Sequence, residues 1–228
     1  MPAKNSVKQY LENGYYHIYN RGVEKRKIFL DGQDYSVFLS YLKEYLSPKN
    51  EKELYDKLSN PSLSYKERDK ILKLIRLNNF ADEITLLAYC LMPNHFHFFI
   101  KQKNPNSIDS FMNSLGTRYT MYFNKKYKRV GSLYQGVYKA ALIENEKQFL
   151  HLSRYIHKQA LASQGEALRE GQPSSYKRYL DMEKTEWVNP SEILSFFSSK
   201  HPLLSYRAFV EELEEEPELI NSITLDEI

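Results

Sequence analysis

The chain has 228 residues, which is long enough to bury one well-packed core together with an additional segment. Apolar residues make up 42% of it, and no uninterrupted apolar run approaches the roughly 20 residues that a membrane-spanning helix needs. The N-terminal residues show no apolar signal stretch, and Cys90 is the one cysteine, so an internal disulfide and a thiolate cluster are excluded. We expect a cytoplasmic protein with no membrane association.

The formal net charge of +3 hides an uneven distribution. Residues 201–228 hold one arginine and eight acids, whereas residues 1–200 hold 31 basic and 21 acidic residues, a net charge of +10. The 19 tyrosines and 12 phenylalanines are interleaved with lysine and arginine, for example in residues 119–129. Such a basic, aromatic body suits a polyanionic single strand, although a solvated surface and ordinary core aromatics explain the same features.

The first predicted element is a strand at residues 15–20, where β-prone residues lead into an Arg-Gly turn. Apolar residues then recur at helical spacing over residues 31–48. Residues 48–79 are rich in lysine and glutamate and predict a helical insertion. Two apolar, aromatic runs at 83–92 and 94–102, joined by a Pro-Asn turn, predict adjacent antiparallel strands.

A helix is predicted at residues 107–126, a short strand within residues 131–142, and a last core helix at residues 146–162. This order predicts an α+β fold, a ferredoxin-like split βαββαβ antiparallel sheet with helices on one face. Residues 1–162 form the predicted core domain. Residues 163–228 are predicted to be a linker, at 163–173, and a helical C-terminal extension.

His95 and His97 lie two residues apart on the second strand of the predicted pair, so their side chains leave the same face of the sheet. Phe96, Phe98 and Ile100 point to the other face. This geometry suits two metal ligands, but a His-x-His pair also arises by chance.

Tyr155 and Gln159 are four residues apart on the last core helix and share a ridge beside its buried stripe. The helix thus offers a nucleophile and an oxygen ligand together. Imidazole and amide ligands with open positions suit Mg²⁺ or Mn²⁺ better than structural Zn²⁺. The alternative is a half-buried packing tyrosine and a solvated glutamine.

Five motifs occur in a fixed order along residues 15–159. They are YHIYNRG at 16–22, MPNHFH at 92–97, RYTMYFN at 118–124, GSLYQG at 131–136 and RYIHKQ at 154–159. Together they resemble the single-tyrosine HUH transposases, which include the transposases of the smallest bacterial insertion sequences and the REP-associated tyrosine transposases.

The resemblance implies a catalytic core with a divalent metal, Mg²⁺ or Mn²⁺, on His95 and His97, and with Gln159 as the third ligand. It implies that Tyr155 cleaves single-stranded DNA, of hairpin or repeat origin, to leave a 5′-phosphotyrosine during transposition. REP-associated members commonly carry Asn-Pro where this chain has Gln159-Ala160. The insertion at residues 48–79 is also atypical of compact members, so the subgroup and the DNA target stay open, as does a homodimer.

A second candidate nucleophile is Tyr119, which follows Arg118 on the preceding helix. Its spacing places it on the apolar side of that helix, so we expect it to be buried and favour Tyr155. Six cations are candidates for contacts with DNA phosphates, although each alone is also explained as a solvated charge. They are Arg21, Lys25, Arg26, Arg118, Arg129 and Lys139.

Two other functions fit parts of this pattern. A non-catalytic module could bind single-stranded nucleic acid by stacking bases on exposed aromatics of a similar sheet, as RNA-recognition domains do. A replication-initiating HUH nuclease would share the histidine pair, but such enzymes usually carry a helicase domain or a second tyrosine motif. Neither is visible in this sequence.

Overall fold

A computed structural model describes residues 8–161 and 172–211 of the chain. Its sheet contains β1 (Tyr15–Arg21), β2 (Ile84–Met92), β3 (His95–Gln102) and β4 (Lys139–Leu142). The strands are antiparallel in the order β2-β3-β1-β4. Helices connect β1 to β2 and β3 to β4, so the predicted split βαββαβ sheet is confirmed.

The helices in the described ranges vary widely in length. They are α1 (Gly32–Leu46), α2 (Glu51–Leu58), α3 (Tyr65–Arg76), α4 (Ser107–Lys126), α5 (Glu146–Ala160), α6 (Tyr176–Tyr179), α7 (Ser191–Leu194) and α8 (Tyr206–Glu211). The helical insertion is confirmed as α2 and α3, and α3 begins at a reciprocal capping box between Ser64 and Glu67. Over the described residues, no helix combines the length and apolarity needed to cross a bilayer.

Two hydrophobic cores lie on opposite faces of the sheet, and β3 contributes side chains to both. Phe96, Phe98 and Ile100 enter the first core, which α1 and α4 cover from one side of the sheet. The other side is named the histidine face here and is formed in part by alternate residues of β1 and β3. These are Tyr15, His17 and Tyr19 of β1 and His95, His97 and Phe99 of β3.

Helix α5 packs on the histidine face, opposite to α1 and α4. Its buried residues Leu152, Ile156 and Ala160 join Phe99 and Cys90 in the second core. The expectation of helices on one face therefore holds for α1 and α4 but is wrong for α5. The reason is that β2 is apolar on both faces, so each face needs a covering layer.

The predicted strand region at 131–142 is strand only at β4. Residues 131–138 instead cross the end of β1, where the Gln135 amide donates to the Arg21 carbonyl at 2.9 Å and the Val23 amide to the Leu133 carbonyl at 3.0 Å. Gly131 begins this crossing with a φ of 86°, a left-handed conformation that glycine adopts without a steric penalty.

The predicted helical extension is wrong for residues 172–211, which are mostly turns between the short helices α6, α7 and α8. The predicted linker at 163–173 falls almost entirely outside the described residues. Where the structure resumes, the Pro173 carbonyl accepts from the Leu91 amide at 2.9 Å and Ser174 forms a bridge with Cys90. This C-terminal segment, residues 172–211, therefore begins along the free edge of β2.

A buried carboxylate joins the beginning of α1 to the end of α4. Asp34 accepts hydrogen bonds from the Leu30 amide at 2.8 Å and from the phenols of Tyr122 and Tyr127 at 3.0 and 2.8 Å. It also pairs with Lys126 at 2.8 Å. Burial favours the neutral acid, but the ammonium and the other donors outweigh it and lower the pKa of Asp34.

We expect Asp34→Ala to lower the free energy of unfolding by about 3 kcal/mol, because it leaves the Tyr122 phenol and the Leu30 amide without their acceptor and removes one of the two carboxylates that hold Lys126. Asp69→Ala, which removes an exposed ion pair with Lys73, is the matched control and should cost less than about 0.5 kcal/mol. Urea denaturation measures both.

The same pair of variants has an expected pH dependence. The folded pKa of Asp34 lies below its unfolded value, so its contribution is present above about pH 4 and is lost as the pH falls through the folded pKa. The gap between the wild type and Asp34→Ala should therefore narrow in acid. Equal losses for Asp34→Ala and Asp69→Ala at neutral pH would contradict this role.

Candidate active site

His95 and His97 project from β3 onto the histidine face, as the alternation of the strand predicts. Their ring centroids are 4.9 Å apart. His97 is fully buried and His95 is half-buried at the end of the strand, where it pairs with Arg21 of β1. Both rings lie on a central strand that is hydrogen-bonded along both edges, so their positions follow directly from the register of the sheet.

A third histidine, His17 of β1, lies against this pair. Its Nε2 is 2.9 Å from Nδ1 of His97, and both rings are fully buried. His17 is not among the site residues that the sequence predicts. Its signal was present, because the predicted topology places β1 beside β3, but only the register shows that odd-numbered residues of both strands share a face.

The ring nitrogens of the pair are not equivalent. Nδ1 of His95 bonds to Oδ1 of Asn94 at 2.7 Å, and Nδ1 of His97 bonds to His17. Nε2 of His97 is buried and has no hydrogen-bond partner within the part of the chain that the structure describes. When His97 donates from Nδ1 to His17, this orphaned Nε2 carries the lone pair that a metal ion requires.

The histidine face keeps both imidazoles neutral. Burial, with the positive charge of Arg21, lowers the pKa of His95 to about 4. Burial lowers the pKa of His97 far below its usual value, and His17 and His95 add to this effect. Neutral imidazoles are the form that binds metal ions, so the site fits a divalent cation.

Helix α5 brings Tyr155 to the same place. The Tyr155 ring lies 5.4 Å from the ring of His97 and 6.1 Å from the ring of His17, measured between centroids, and it is half-buried. Gln159 follows one helical turn later on the same side of α5 and is also half-buried. One sheet face and one helix therefore gather three imidazoles and a phenol.

No group of three or more histidine, cysteine or acidic side chains that could hold a metal ion is found within residues 8–161 and 172–211. A metal ion bound to the nitrogens of His95 and His97 therefore needs further ligands that supply oxygen. Gln159 is the protein side chain that the sequence assigns to this role, and substrate or water oxygens are the remaining source.

Residues 57–159 match a family model described as "Transposase IS200 like". The matched stretch contains both histidines of β3, Tyr155 and Gln159. This stretch of the chain is therefore similar to the IS200-like transposases. The family expected from the sequence motifs is thus confirmed.

The solved structures that are similar to the chain include two that are described as transposases. One, of a REP-associated tyrosine transposase bound to a REP hairpin, has 12% identity and a TM-score of 0.41 over 67% of this chain and 69% of that one. The other, a Deinococcus radiodurans R1 protein described provisionally as a transposase, has 13% identity and a TM-score of 0.35 over 71% of this chain and 100% of that one. No curated protein matches the chain. The family assignment therefore rests on the sequence match.

The other candidate tyrosine, Tyr119, is inaccessible, as expected from its spacing. Tyr119 is fully buried in the first core, and its hydroxyl donates to the Ile28 carbonyl at 2.6 Å. Burial raises its pKa far above the usual value for a phenol. Tyr119 lies on the side of the sheet opposite to the histidines, so it has no route to the site.

The six cations that are predicted to bind DNA lie in two regions of the structure. Arg21 and Lys139 flank the histidine face, since Arg21 pairs with His95 across β1 and β3 and Lys139 pairs with Tyr19 across β4 and β1. Lys25 is exposed in the turn after β1, and Arg26 beside it bonds to Glu24 at 3.1 Å. The turn extends the basic surface from Arg21.

The remaining two arginines lie on the α4 side. Arg118 pairs with Glu44 at 2.6 Å and stacks at 3.8 Å over Tyr41, which joins α4 to α1. Arg129 bonds to Asn124 at 3.0 Å just beyond α4. Both arginines lie away from the histidine face, so they are poor candidates for contacts with DNA there.

A groove of about 870 Å³ also lies on the α4 side, between α4 and residues 132–138. Its lining includes Phe96 and Leu115 of the first core and, among the described residues, no lysine or arginine. The groove and the histidines are therefore on opposite faces of the sheet. It is not a path for phosphates to the site.

We expect the isolated protein to bind Mn²⁺ and His97→Ala to abolish that binding. His17→Ala should weaken it about 10- to 100-fold, because His17 orients a ligand without being assigned as one. His151→Ala, which removes an imidazole from α5 near Phe209, is the matched control and should bind like the wild type. Calorimetric titration without DNA measures the affinities, and unchanged Mn²⁺ binding by His97→Ala would overturn the assignment.

Proposed function

We propose that this transposase is a metal-dependent endonuclease and strand transferase that acts on single-stranded DNA through a 5′-phosphotyrosine on Tyr155. The observation that carries the proposal is the position of the Tyr155 ring 5.4 Å from His97, whose buried Nε2 lacks a partner among the described residues. The family match supports transposition as the setting of this reaction.

The residues divide the chemistry between them. His95 and His97 would hold Mg²⁺ or Mn²⁺, and Gln159 would add an amide oxygen. The bound cation would polarise a non-bridging oxygen of the scissile phosphate. Because burial keeps both imidazoles neutral, the histidine ligands would not repel the positive charge of the cation.

Tyr155 performs the covalent step. Its phenol oxygen forms a bond to phosphorus and loses its proton, while the bond between phosphorus and the 3′ oxygen breaks and that oxygen leaves as a 3′-hydroxyl. Attack by a DNA 3′-hydroxyl on the phosphotyrosine reverses the step and joins strands. A phenol has an ordinary pKa near 10, so it is a better leaving group than an alkoxide, which makes the transfer reversible.

The charge around the histidine face suits a DNA backbone. Arg21 and Lys139 lie beside it, and Lys25 and Arg26 follow in the adjoining turn. These cations would contact phosphates, which orients a strand without selecting its sequence. The net charge of +10 over residues 1–200 adds long-range attraction for a polyanion.

The non-catalytic alternative requires exposed aromatics on the sheet for base stacking. Phe96, Phe98 and Phe99 of β3 are fully buried instead, because α1 and α4 cover one face and α5 with the C-terminal segment covers the other. The described part of the sheet therefore offers no stacking platform, which favours the enzyme.

We expect Tyr155→Phe to eliminate both cleavage and the covalent protein-DNA adduct while it retains Mn²⁺ and DNA binding, because it removes only the hydroxyl. Incubation with a single-stranded hairpin oligonucleotide and Mg²⁺, followed by denaturing electrophoresis, detects the adduct. EDTA should prevent adduct formation by the wild type. Tyr119→Phe is the matched control and should retain the adduct. An adduct on Tyr155→Phe, or full wild-type cleavage in excess EDTA, would reject the mechanism.

We also expect hairpin and single-stranded DNA to bind more tightly than blunt duplex, with affinity that falls steeply as salt rises. Arg21→Ala should lower the slope of log affinity against log salt by about one, because one phosphate contact is lost. Arg118→Ala should leave the slope unchanged, because that guanidinium lies against Glu44 and Tyr41 of α1, away from the histidine face. Fluorescence anisotropy measures the slopes. Equal affinity of the wild type for blunt duplex, or the opposite ranking of the variants, would contradict the proposed DNA surface.

A further inference from the structure

Helix α5 also carries a buried histidine, His157, that is hydrogen-bonded at both ring nitrogens. His157 lies two residues beyond Tyr155 and is fully buried. Its Nδ1 is 2.6 Å from the hydroxyl of Tyr206, and its Nε2 is 2.7 Å from the hydroxyl of Ser175. A neutral imidazole donates from one ring nitrogen and accepts at the other, so both of these hydrogen bonds can form at once.

The two partners belong to the C-terminal segment and are themselves anchored. The Ser175 hydroxyl accepts from the Tyr89 amide at 2.9 Å, and the Ser175 amide donates to the Tyr89 carbonyl at 3.0 Å. Ser175 is thus fixed to β2, on the sheet that carries the histidine pair. Tyr206 is the first residue of α8, which also packs against α5.

Apolar contacts alone would leave α5 poorly defined in position. Its buried stripe meets the second core through Leu152, Ile156 and Ala160, and such contacts are non-directional, so a helix can rotate or slide over them at modest cost. Hydrogen bonds are directional and fix distance and angle. The bonds of His157 are therefore directional contacts that help to define where α5 lies along and around its axis.

We propose that His157 is a positioning residue and that the C-terminal segment, through Ser175 and Tyr206, holds α5 so that Tyr155 stays beside His97. This inference rests on the proposed role of Tyr155. Ser175 and Tyr206 lie outside residues 57–159, the stretch that matches the transposase family. The C-terminal segment is then a structural part of the active site and not a separate appendage.

Two conservative variants test the proposal without opening a large cavity. Tyr206→Phe removes only the hydroxyl at Nδ1 of His157, and Ser175→Ala removes only the hydroxyl at Nε2. Tyr176→Phe is the matched control, because Tyr176 lies in the same cluster and donates to Glu211 at 2.7 Å instead of bonding to His157. Circular dichroism and thermal melting establish that each variant is folded.

The first measurement is backbone hydrogen exchange along α5 in the absence of DNA. We expect Ser175→Ala and Tyr206→Phe to increase exchange at residues 153–160 while β1 and β3 stay protected, and Tyr176→Phe to match the wild type. This readout does not depend on catalysis. Wild-type protection of α5 in both test variants, or an equal loss in Tyr176→Phe, would overturn the proposal.

The second measurement is the single-turnover rate of adduct formation on a hairpin oligonucleotide at saturating Mg²⁺. Each test variant should lose about tenfold or more in rate, with DNA affinity unchanged, because the nucleophile is misplaced while the binding surface is intact. A rate equal to wild type in both folded variants would overturn the positioning role. If the wild type forms no adduct, the proposed function fails, and the exchange data still decide whether His157 holds α5.

Discussion

The alternation of side chains along β3 is the constraint on which the rest of this protein depends. Phe96 and Phe98 build the first core, while His95 and His97 leave from the other side only one residue away. A one-residue slip of register would exchange these faces and place imidazoles among the phenylalanines of the first core. Hydrogen bonding to β1 and β2 along both edges prevents that slip, so the same contacts that stabilise the fold also position the site.

Burying imidazoles under a helix has an energetic cost that the site offsets locally. Asn94 and His17 each bond to one nitrogen of the pair, and the remaining buried nitrogen, Nε2 of His97, is left without a partner among the described residues. An unsatisfied buried nitrogen is unfavourable in the free protein. A bound cation would satisfy it, so the arrangement that costs stability without a metal is the one that favours metal binding.

Local patterns in the sequence predicted the elements near the site well. The alternation of β3 and the helical spacing of α4 and α5 are properties of short windows, and the structure follows them to within a few residues. His17 was missed because its importance depends on pairing with a strand about 80 residues away. The sequence predicts a helical C-terminal extension, yet residues 172–211 form only the short helices α6, α7 and α8 with turns between them.

The failure in the C-terminal segment has a physical cause. Its tyrosines bond to groups elsewhere in the fold, such as Tyr179 to the Leu87 carbonyl and Tyr206 to His157, and do not form a periodic helical stripe. Tertiary contacts of this kind override local propensity, and they cannot be derived before the sheet and α5 are in place. The structure of the C-terminal segment is therefore the hardest to predict from sequence patterns, because it depends most on contacts with the folded core.

The reversible reaction proposed above would make such dependence useful at this site. After the first transfer the DNA would be covalently attached to Tyr155, so α5 itself would hold the strand that is to be rejoined. Any displacement of α5 then moves the phosphate away from His97 and lowers the rate of the return step as well as the first. Directional hydrogen bonds through His157, anchored on β2, keep the helix and the sheet in one geometry for both directions of transfer.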